Sequence, residues 1–510
     1  MSQQQTFDRQ SDYHRSDRVS PLDFASWARA YSQRTNRSLA GSRIVLPDDL
    51  PSSPERDLLV SQAHDWGMSV SQAHNSDAPT TFSTYYPQSA DVPDMRESTG
   101  AQAMDWAQEH MPVLRALVDQ FCSEHDTSQL RIAMCLILEP KTAILARLLA
   151  QAGAQVGIYA GPETLDPRVA QQLRSEGIAV YANPNWNQAQ SVSGALELLD
   201  TLGPNLIIDD GASFARLAAR ERPELAAQLI GVAEETTSGV RAFDAMEADQ
   251  VLPFPVVAVN DSLMKTGFDN AHGTGETCAT TIQELLGSGC FENCQLAVIG
   301  YGPVGRGFAQ RVRTLGAQVT ICDSDPRACL RAAFEGFPTR NIDQVLPTSD
   351  MVISATGVYH TVSLEQMRAM RPSAVLAVIG GIANELALDD LPSGSFDHSQ
   401  PVSDLQVPDG PRLKLLSSGD GVNYTAGGGN PIEIMDLSFA VQTSALAWLL
   451  DHRGQLKTAV YRLPEQVDRQ IAEVALQARG YETSPFEPQT DHSWQVTRFD
   501  QPNGAASSSL

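Results

Sequence analysis

From residue 100 onward, short apolar runs alternate with longer stretches whose apolar positions recur at helical spacing. The short runs predict buried strands and the longer stretches amphipathic helices. Residues 104–118 read as a helix, 131–138 as a strand, 141–152 as a helix, 155–159 as a strand and 167–176 as a helix; strands at 179–181 and 206–208 continue the series. The same alternation resumes with strands at 295–299 and 318–322 around a helix at 304–315, and further strands at 351–354 and 374–379. Strands separated by helices predict parallel sheets covered on both faces, so the fold class is α/β with two doubly wound parallel-sheet domains. Ligands of such sheets bind outside the carboxyl ends of the strands, and several polar motifs fall there.

Residues 1–98 have another texture, rich in Ser, Gln, Asp, Arg and Pro with brief apolar runs such as Ile44-Val45-Leu46. They read as a partly disordered extension with helix around 21–32 and 55–63. Ser-Gln-Ala-His occurs at 61–64 and again at 71–74, which we read as chance rather than as a structural repeat.

The turn Gly300-Tyr301-Gly302-Pro303-Val304-Gly305 stands between a predicted strand and a predicted helix, the order a dinucleotide cradle requires. Gly300 can make the tight turn, Gly302 lets backbone N–H groups approach a pyrophosphate, and Gly305 lets helix and strand pack closely; the helix N-terminus adds partial positive charge. Asp323 ends the next strand, where a carboxylate accepts hydrogen bonds from ribose hydroxyls and repels a 2′-phosphate, so NAD is expected rather than NADP. The expected domains are therefore an extension over 1–98, a substrate and catalytic domain over 99–275, a Rossmann NAD-binding domain over 276–430, and a return to the substrate domain with a tail over 431–510.

Composition narrows the partners. The 510 residues carry a formal net charge of -25, with no basic surplus for nucleic acid or an acidic membrane surface. Seven cysteines without a CxxC pair suit reduced thiols in a cytoplasmic protein, no apolar leader opens the chain, and no apolar run reaches the roughly 18 residues needed to span a bilayer. No His/Cys/acid group shows metal-ligand spacing along the chain, so no metal is expected.

Three polar clusters fall at or near predicted strand ends: Asp209-Asp210-Gly211, then Glu234-Glu235-Thr236-Thr237-Ser238-Gly239, then Asn260-Asp261-Ser262 through Lys265, Asp269 and Asn270. Paired acids with a lysine and asparagines are what reversible oxidation of a sugar hydroxyl needs: a lysine of depressed pKa to take the hydroxyl proton, and carboxylates to orient it and move a carbon-bound proton.

With these motifs, in this order, and with Gly300-Tyr-Gly-Pro-Val-Gly-Arg-Gly307 and Val422-Asn423, the chain resembles the S-adenosylhomocysteine hydrolase family from about residue 104 to 464, and more loosely to 494. The resemblance implies one NAD per subunit, a homo-oligomer and a nucleoside-like small-molecule substrate. The family oxidises the 3′-hydroxyl of its nucleoside, eliminates the 5′-thiol, adds water and returns the hydride. By position, Glu235, Lys265 and Asp269 would hold and deprotonate the hydroxyl and Asp210 would serve the 4′-proton transfer. Thr236, Thr237, Ser238, Asn270, Asp323 and Asn423 would line the NAD site beside the glycine turn.

The departures cluster on the other side of the chemistry. The family's histidines are Ile137, Gly381 and Asn430 here; Glu139 and Lys141 replace a threonine and an acidic or amide residue, Thr274 a cysteine, and Glu487 the C-terminal lysine that reaches a neighbouring subunit's NAD site. The hydride equipment is kept while base recognition and 5′ chemistry are rewritten. His272 and His360 are the histidines near the matched motifs and are candidates for a replacement proton donor. Three readings stay open: a related enzyme that uses transient oxidation for elimination, addition or epimerisation on another substrate, a genuine S-adenosylhomocysteine hydrolase, and a regulatory relative that binds NAD without turnover.

Overall fold

The computed structural model describes residues 23–48, 50–72, 83–85, 94–382 and 384–484. Two large sheets dominate it. The first has seven parallel strands in the order Val460–Tyr461, Val256–Ala258, Gly231–Glu234, Leu206–Asp209, Arg131–Cys135, Gln155–Tyr159, Ala179–Tyr181. The second has six in the order Gln318–Cys322, Gln295–Ile299, Met351–Ser354, Val375–Val378, Arg412–Leu416, Val402–Gln406, of which only the edge strand Val402–Gln406 runs antiparallel. The central strands read as continuous apolar runs because helices bury both of their faces, whereas Val402–Gln406 alternates buried and exposed positions and escaped a search for such runs.

Among the parallel strands, chain order reverses within each sheet at one place. In the first sheet it lies between Arg131–Cys135 and Leu206–Asp209, in the second between Gln295–Ile299 and Met351–Ser354. Loops leave in opposite directions at such a point and open a crevice beyond the strand ends. Both crevices line the cavity described below.

The 20-residue helix Ile432–Asp451 brings the chain back to the first sheet, and Leu437, Ala440, Val441, Leu446 and Leu449 join its core. Gly231 is small because Leu449 sits on it; a Cβ there would lie 2.4 Å from a Leu449 methyl. Asp436 on the same helix accepts the N–H groups of Val113 (3.1 Å) and Leu114 (2.7 Å), capping the helix Pro112–Glu124, whose own N-cap residue Met111 offers no side-chain bond.

The N-terminal region folds over much of its length. Helices Phe24–Thr35 and Pro54–Asp65 stand where helix was expected, and Arg43–Leu46 is the centre of a three-stranded parallel sheet between Ser69–Gln72 and Ser83–Tyr85. Phe24, Trp27, Tyr31 and Trp66 are buried together with Cys278, Ile282, Phe308 and Val312 of the neighbouring helices. A few aromatic residues at helical spacing, scattered through polar sequence, are enough because they add to an existing core rather than build one. The disorder expected for the rest of the extension concerns residues 1–22, 73–82 and 86–93, which lie outside the described ones.

Candidate active site

After the strand Val256–Ala258 the chain makes one tight turn at Val259–Asp261, a short helical turn Leu263–Lys265, and then a π-helical stretch, Thr266–Gly273, that runs into the helix Thr274–Leu286. In an α-helix, residues four apart share a face and residues five apart do not; the wider π winding brings both beside the first. Thus Lys265 Nζ lies 2.8 Å from Asp269 Oδ2 and donates to Asn270 Oδ1 at 2.9 Å, all three side chains being buried. Asn270 in turn donates to Asn260 Oδ1 at 2.9 Å, which also accepts from Thr237 Oγ1 at 3.0 Å, so the lysine cluster is tied to the start of the helix Thr237–Ala248.

The four acids at 209, 210, 234 and 235 divide into two kinds. Asp209 accepts the N–H groups of Phe214 (3.3 Å) and Ala215 (2.8 Å), and Glu234 those of Gly211 and Ala212, each at 2.9 Å. These two fix the loop, and Gly239 is glycine because a Cβ would strike the Glu234 carboxylate. Asp210 and Glu235 face the cavity. Burial raises the Asp210 carboxyl against the pull of Lys265. Burial likewise pushes Glu235 up to about 8, again opposed by Lys265; one oxygen accepts from Gln442 Nε2 while the other is buried with no partner.

A depressed lysine was expected, and the structure corrects this. Burial does act to lower the Lys265 ammonium, but Asp269, Glu235 and Asp210 outweigh it and the proton is held more tightly than in water. Three acids around one ammonium could not be inferred from spacing, because Asp210 and Glu235 join Asp269 there from two other strand ends.

The glycine turn has the predicted geometry. Gly300 sits at φ +95° with Ala355 O close behind it, a Cβ on Gly305 would fall 2.0 Å from Gly300 O, and a Cβ on Gly302 would meet nothing within 4 Å. The helix Pro303–Thr314 begins there without a side-chain cap, which leaves its first N–H groups for a ligand. Asp323 borders the turn and accepts Tyr301 N at 2.6 Å and Asp325 N at 2.8 Å. These residues fit NAD: an uncapped helix start, an open approach at Gly302 and a carboxylate at the next strand end. Asp323→Ala is expected to weaken NAD binding by about 1–3 kcal/mol, the scale of charge-assisted hydrogen bonds. Calorimetric titration checks it, and unchanged affinity would remove the ribose assignment.

One cavity of about 1140 Å³ joins both halves. Asp210, Glu235, Thr236, Thr237, Ser238, Lys265, Asp269, Asn270, Gly300, Gly302, Pro303, Val304, Asp323 and Asn423 all line it, and Gly305 lies beneath the turn. The departures line it too: Ile137, Glu139, Thr274, Gly381 and Asn430. Asn430 donates to Asp269 Oδ1 and to Thr274 Oγ1 (3.0 Å) and accepts from Asn423 Nδ2 (2.9 Å), so it joins the lysine cluster to the returning chain. No histidine is among the lining residues. His272 contacts Arg311 at 3.2 Å, and burial with the Arg311 and Arg306 charges pushes it down to about 4; His360 is held by Asp389 at 2.7 Å. Neither is placed to replace the lost histidines. His360, Asp389 and Asp390 do bring ligand atoms within 4.8 Å of one another, a grouping invisible along the chain, but they are not among the lining residues of this cavity.

Sequence reading missed Ser438, which donates to Asp269 Oδ2 at 3.2 Å, and Gln442. Both sit one turn apart on Ile432–Asp451, and the signal was there: Glu433, Asp436, Ser438 and Gln442 are buried polar residues in a largely apolar helix.

The two switch-point crevices, the glycine turn and the lysine cluster in one cavity define an NAD-binding protein of two doubly wound sheets. The family model described as S-adenosyl-L-homocysteine hydrolase matches residues 90–222, and its NAD binding domain matches residues 289–429. The chain belongs to the S-adenosyl-L-homocysteine hydrolase family, and NAD is its cofactor. It is 37% identical over 389 residues to an adenosylhomocysteinase of Thermococcus kodakarensis, covering 75% of this chain and 91% of that one. An S-inosyl-L-homocysteine hydrolase of Methanopyrus kandleri is 34% identical over 395 residues, 76% and 93% of the two chains. An adenosylhomocysteinase of Thermotoga maritima is 36% identical over 390 residues, 75% and 95%. No helix among the described residues is long and apolar enough to cross a membrane.

Proposed function

We propose that the protein is an NAD-dependent enzyme that transiently oxidises a secondary hydroxyl of a nucleoside-like substrate, so that elimination, addition or epimerisation can occur at the neighbouring carbons. One observation carries the reading: Lys265, Asp269, Glu235 and Asp210 share a cavity with the NAD cradle, and no histidine lines that cavity.

Bound NAD, held by the glycine turn and Asp323, would supply the hydride acceptor for the carbon that bears the hydroxyl. The chain's own groups handle protons. Asp269, held by Asn430, Ser438 and Lys265, orients the ammonium toward the cavity. Lys265 and Glu235 form the proton relay for the hydroxyl, Glu235 using its unpartnered oxygen. Asp210, across the cavity wall, moves the proton from the carbon acidified by oxidation. The dry surroundings of these groups keep their mutual attraction strong and exclude water from the oxidised intermediate.

The relay has a pH signature. Glu235 holds its proton below about 8, so its basic form grows as pH rises through that value. NADH formation by the parent protein is therefore expected to climb between about pH 7 and 9 and level off above, and Glu235→Gln to lack the climb. A parent profile flat over this range would take Glu235 out of the relay.

A second reading has a specific observation behind it. Relatives of nearly equal similarity are named for adenosyl and for inosyl substrates, so genuine hydrolysis of a nucleosidyl homocysteine, with a different base, fits the same cavity. Native mass spectrometry followed by addition of nucleosides and their homocysteine thioethers distinguishes the two. Our reading predicts NADH absorbance without rapid release of homocysteine; prompt release would favour the hydrolase.

A further inference from the structure

Through residues 32–40 the N-terminal module bonds the wall of the active-site cavity, where Asn36 Nδ2 donates to Gly429 O. Its bonds fall on both connections between the sheets. On the outgoing one, Ser32 and Gln33 contact Thr280 Oγ1 at 3.1 and 3.2 Å, Gln33 also reaches Thr281, and the fully buried Glu276 carboxylate accepts the N–H groups of Leu39 (2.8 Å) and Ala40 (3.1 Å). On the returning one, buried Glu433 accepts Ser38 N at 2.8 Å and Arg37 Nε at 2.7 Å, Ile432 N donates to Asn36 O at 3.0 Å, and Asn36 Nδ2 donates to Gly429 O at 3.0 Å. Nine consecutive residues thus pin the two connections to one another.

Asn36 extends this network to the cavity wall. Its Oδ1 accepts from Lys141 Nζ at 2.5 Å, and the same ammonium reaches Gly428 O at 2.9 Å and Glu139 Oε2 at 2.5 Å. Lys141 is only 2% exposed, and a buried ammonium needs an acceptor for each of its three protons. Asn36 supplies one of the three from a left-handed backbone position, φ +50°, which asparagine tolerates better than most residues. Glu139, at the end of this relay, lines the substrate cavity. Burial raises its carboxyl, and Lys141 opposes that rise, so loss of the lysine's anchorage weakens Glu139 as an acceptor.

We propose that residues 32–40 are a clasp behind the active-site wall that fixes the two inter-sheet connections together, with Asn36 as the positioning residue that seats Lys141 and thereby presents the Glu139 carboxylate to an N–H donor on the base of the substrate. The last step rests on the nucleoside-like substrate proposed above; the clasp does not. The geometry selects bases with an amino or lactam N–H, because an ionised carboxylate only accepts.

The test uses full-length, NAD-loaded protein. Asn36→Gly keeps the left-handed backbone accessible and removes the side chain. It is expected to retain NAD, to exchange amide hydrogens faster at residues 276–281 and 428–433, and to lose about tenfold of its preference for adenosine, inosine or guanosine over purine riboside, which lacks those donors. Glu139→Gln is expected to lose the same preference without the change in exchange. Unaltered exchange at both connections in Asn36→Gly overturns the clasp; altered exchange with unaltered base preference overturns the Glu139 step. Should Asn36→Gly fail to fold, Gln33→Ala, at a half-buried position, puts the clasp to the same exchange test at residues 276–281. If the parent binds no nucleoside at all, the nucleoside reading and the Glu139 step fall together, and the exchange data alone decide the clasp.

Discussion

Lys265→Met is expected to lower hydride transfer by about two to four orders of magnitude while NAD stays bound, the range of a lost general acid–base group. Methionine keeps an apolar stem of similar length and removes the one ammonium that Asp269, Glu235 and Asp210 share. The acids are then left without their cation, and burial drives them toward their neutral forms, which cannot draw a proton from a hydroxyl. NAD's cradle lies across the cavity at Gly300–Gly302 and Asp323 and loses no hydrogen bond of its own. Stopped-flow absorbance of NADH checks the rate, and native mass spectrometry checks retention. A loss under tenfold would show that Lys265 only positions the π-helical turn.

S-adenosylhomocysteine is expected to be hydrolysed about 10²–10⁴ times more slowly than by ordinary members of the family. Of the three positions where the family resemblance implies histidine, Ile137 has no polar group, Gly381 no side chain, and Asn430 an amide already committed to Asp269, Thr274 and Asn423. None can shuttle a proton to a leaving thiolate or activate a water. Homocysteine release measured with a thiol reagent tests this directly; release at the usual rate would mean that other groups had taken over the histidines' work and would remove the proposed change of chemistry.

The two sheets and the glycine turn were legible because their determinants are local: apolar runs, three glycines in strand–turn–helix context, and an aspartate at the next strand end. The polar clusters were legible as sequence words, yet their chemistry was not. Only the fold shows that Asp209 and Glu234 bind backbone N–H groups while their neighbours Asp210 and Glu235 face the cavity. The sign of the Lys265 shift depends on acids arriving from three elements. Asn430 seemed a mere loss of histidine, and in space it is the joint between Asp269 and Asn423. Ser438, Gln442 and Asn36 were missed because they act 160 residues or more away in sequence from Asp269, Glu235 and Gly429.

Transient oxidation makes a carbon-bound hydrogen beside the new carbonyl exchangeable with solvent, and this gives the most direct test. The NAD-loaded protein would be incubated with a panel of nucleosides in deuterium oxide and the recovered nucleosides analysed by mass spectrometry and proton NMR. The account predicts deuterium at the carbon adjacent to the oxidised hydroxyl for at least one nucleoside in the parent protein, and incorporation slowed by about two to four orders of magnitude with Lys265→Met. Absence of deuterium from every nucleoside, with NAD demonstrably bound, would contradict it.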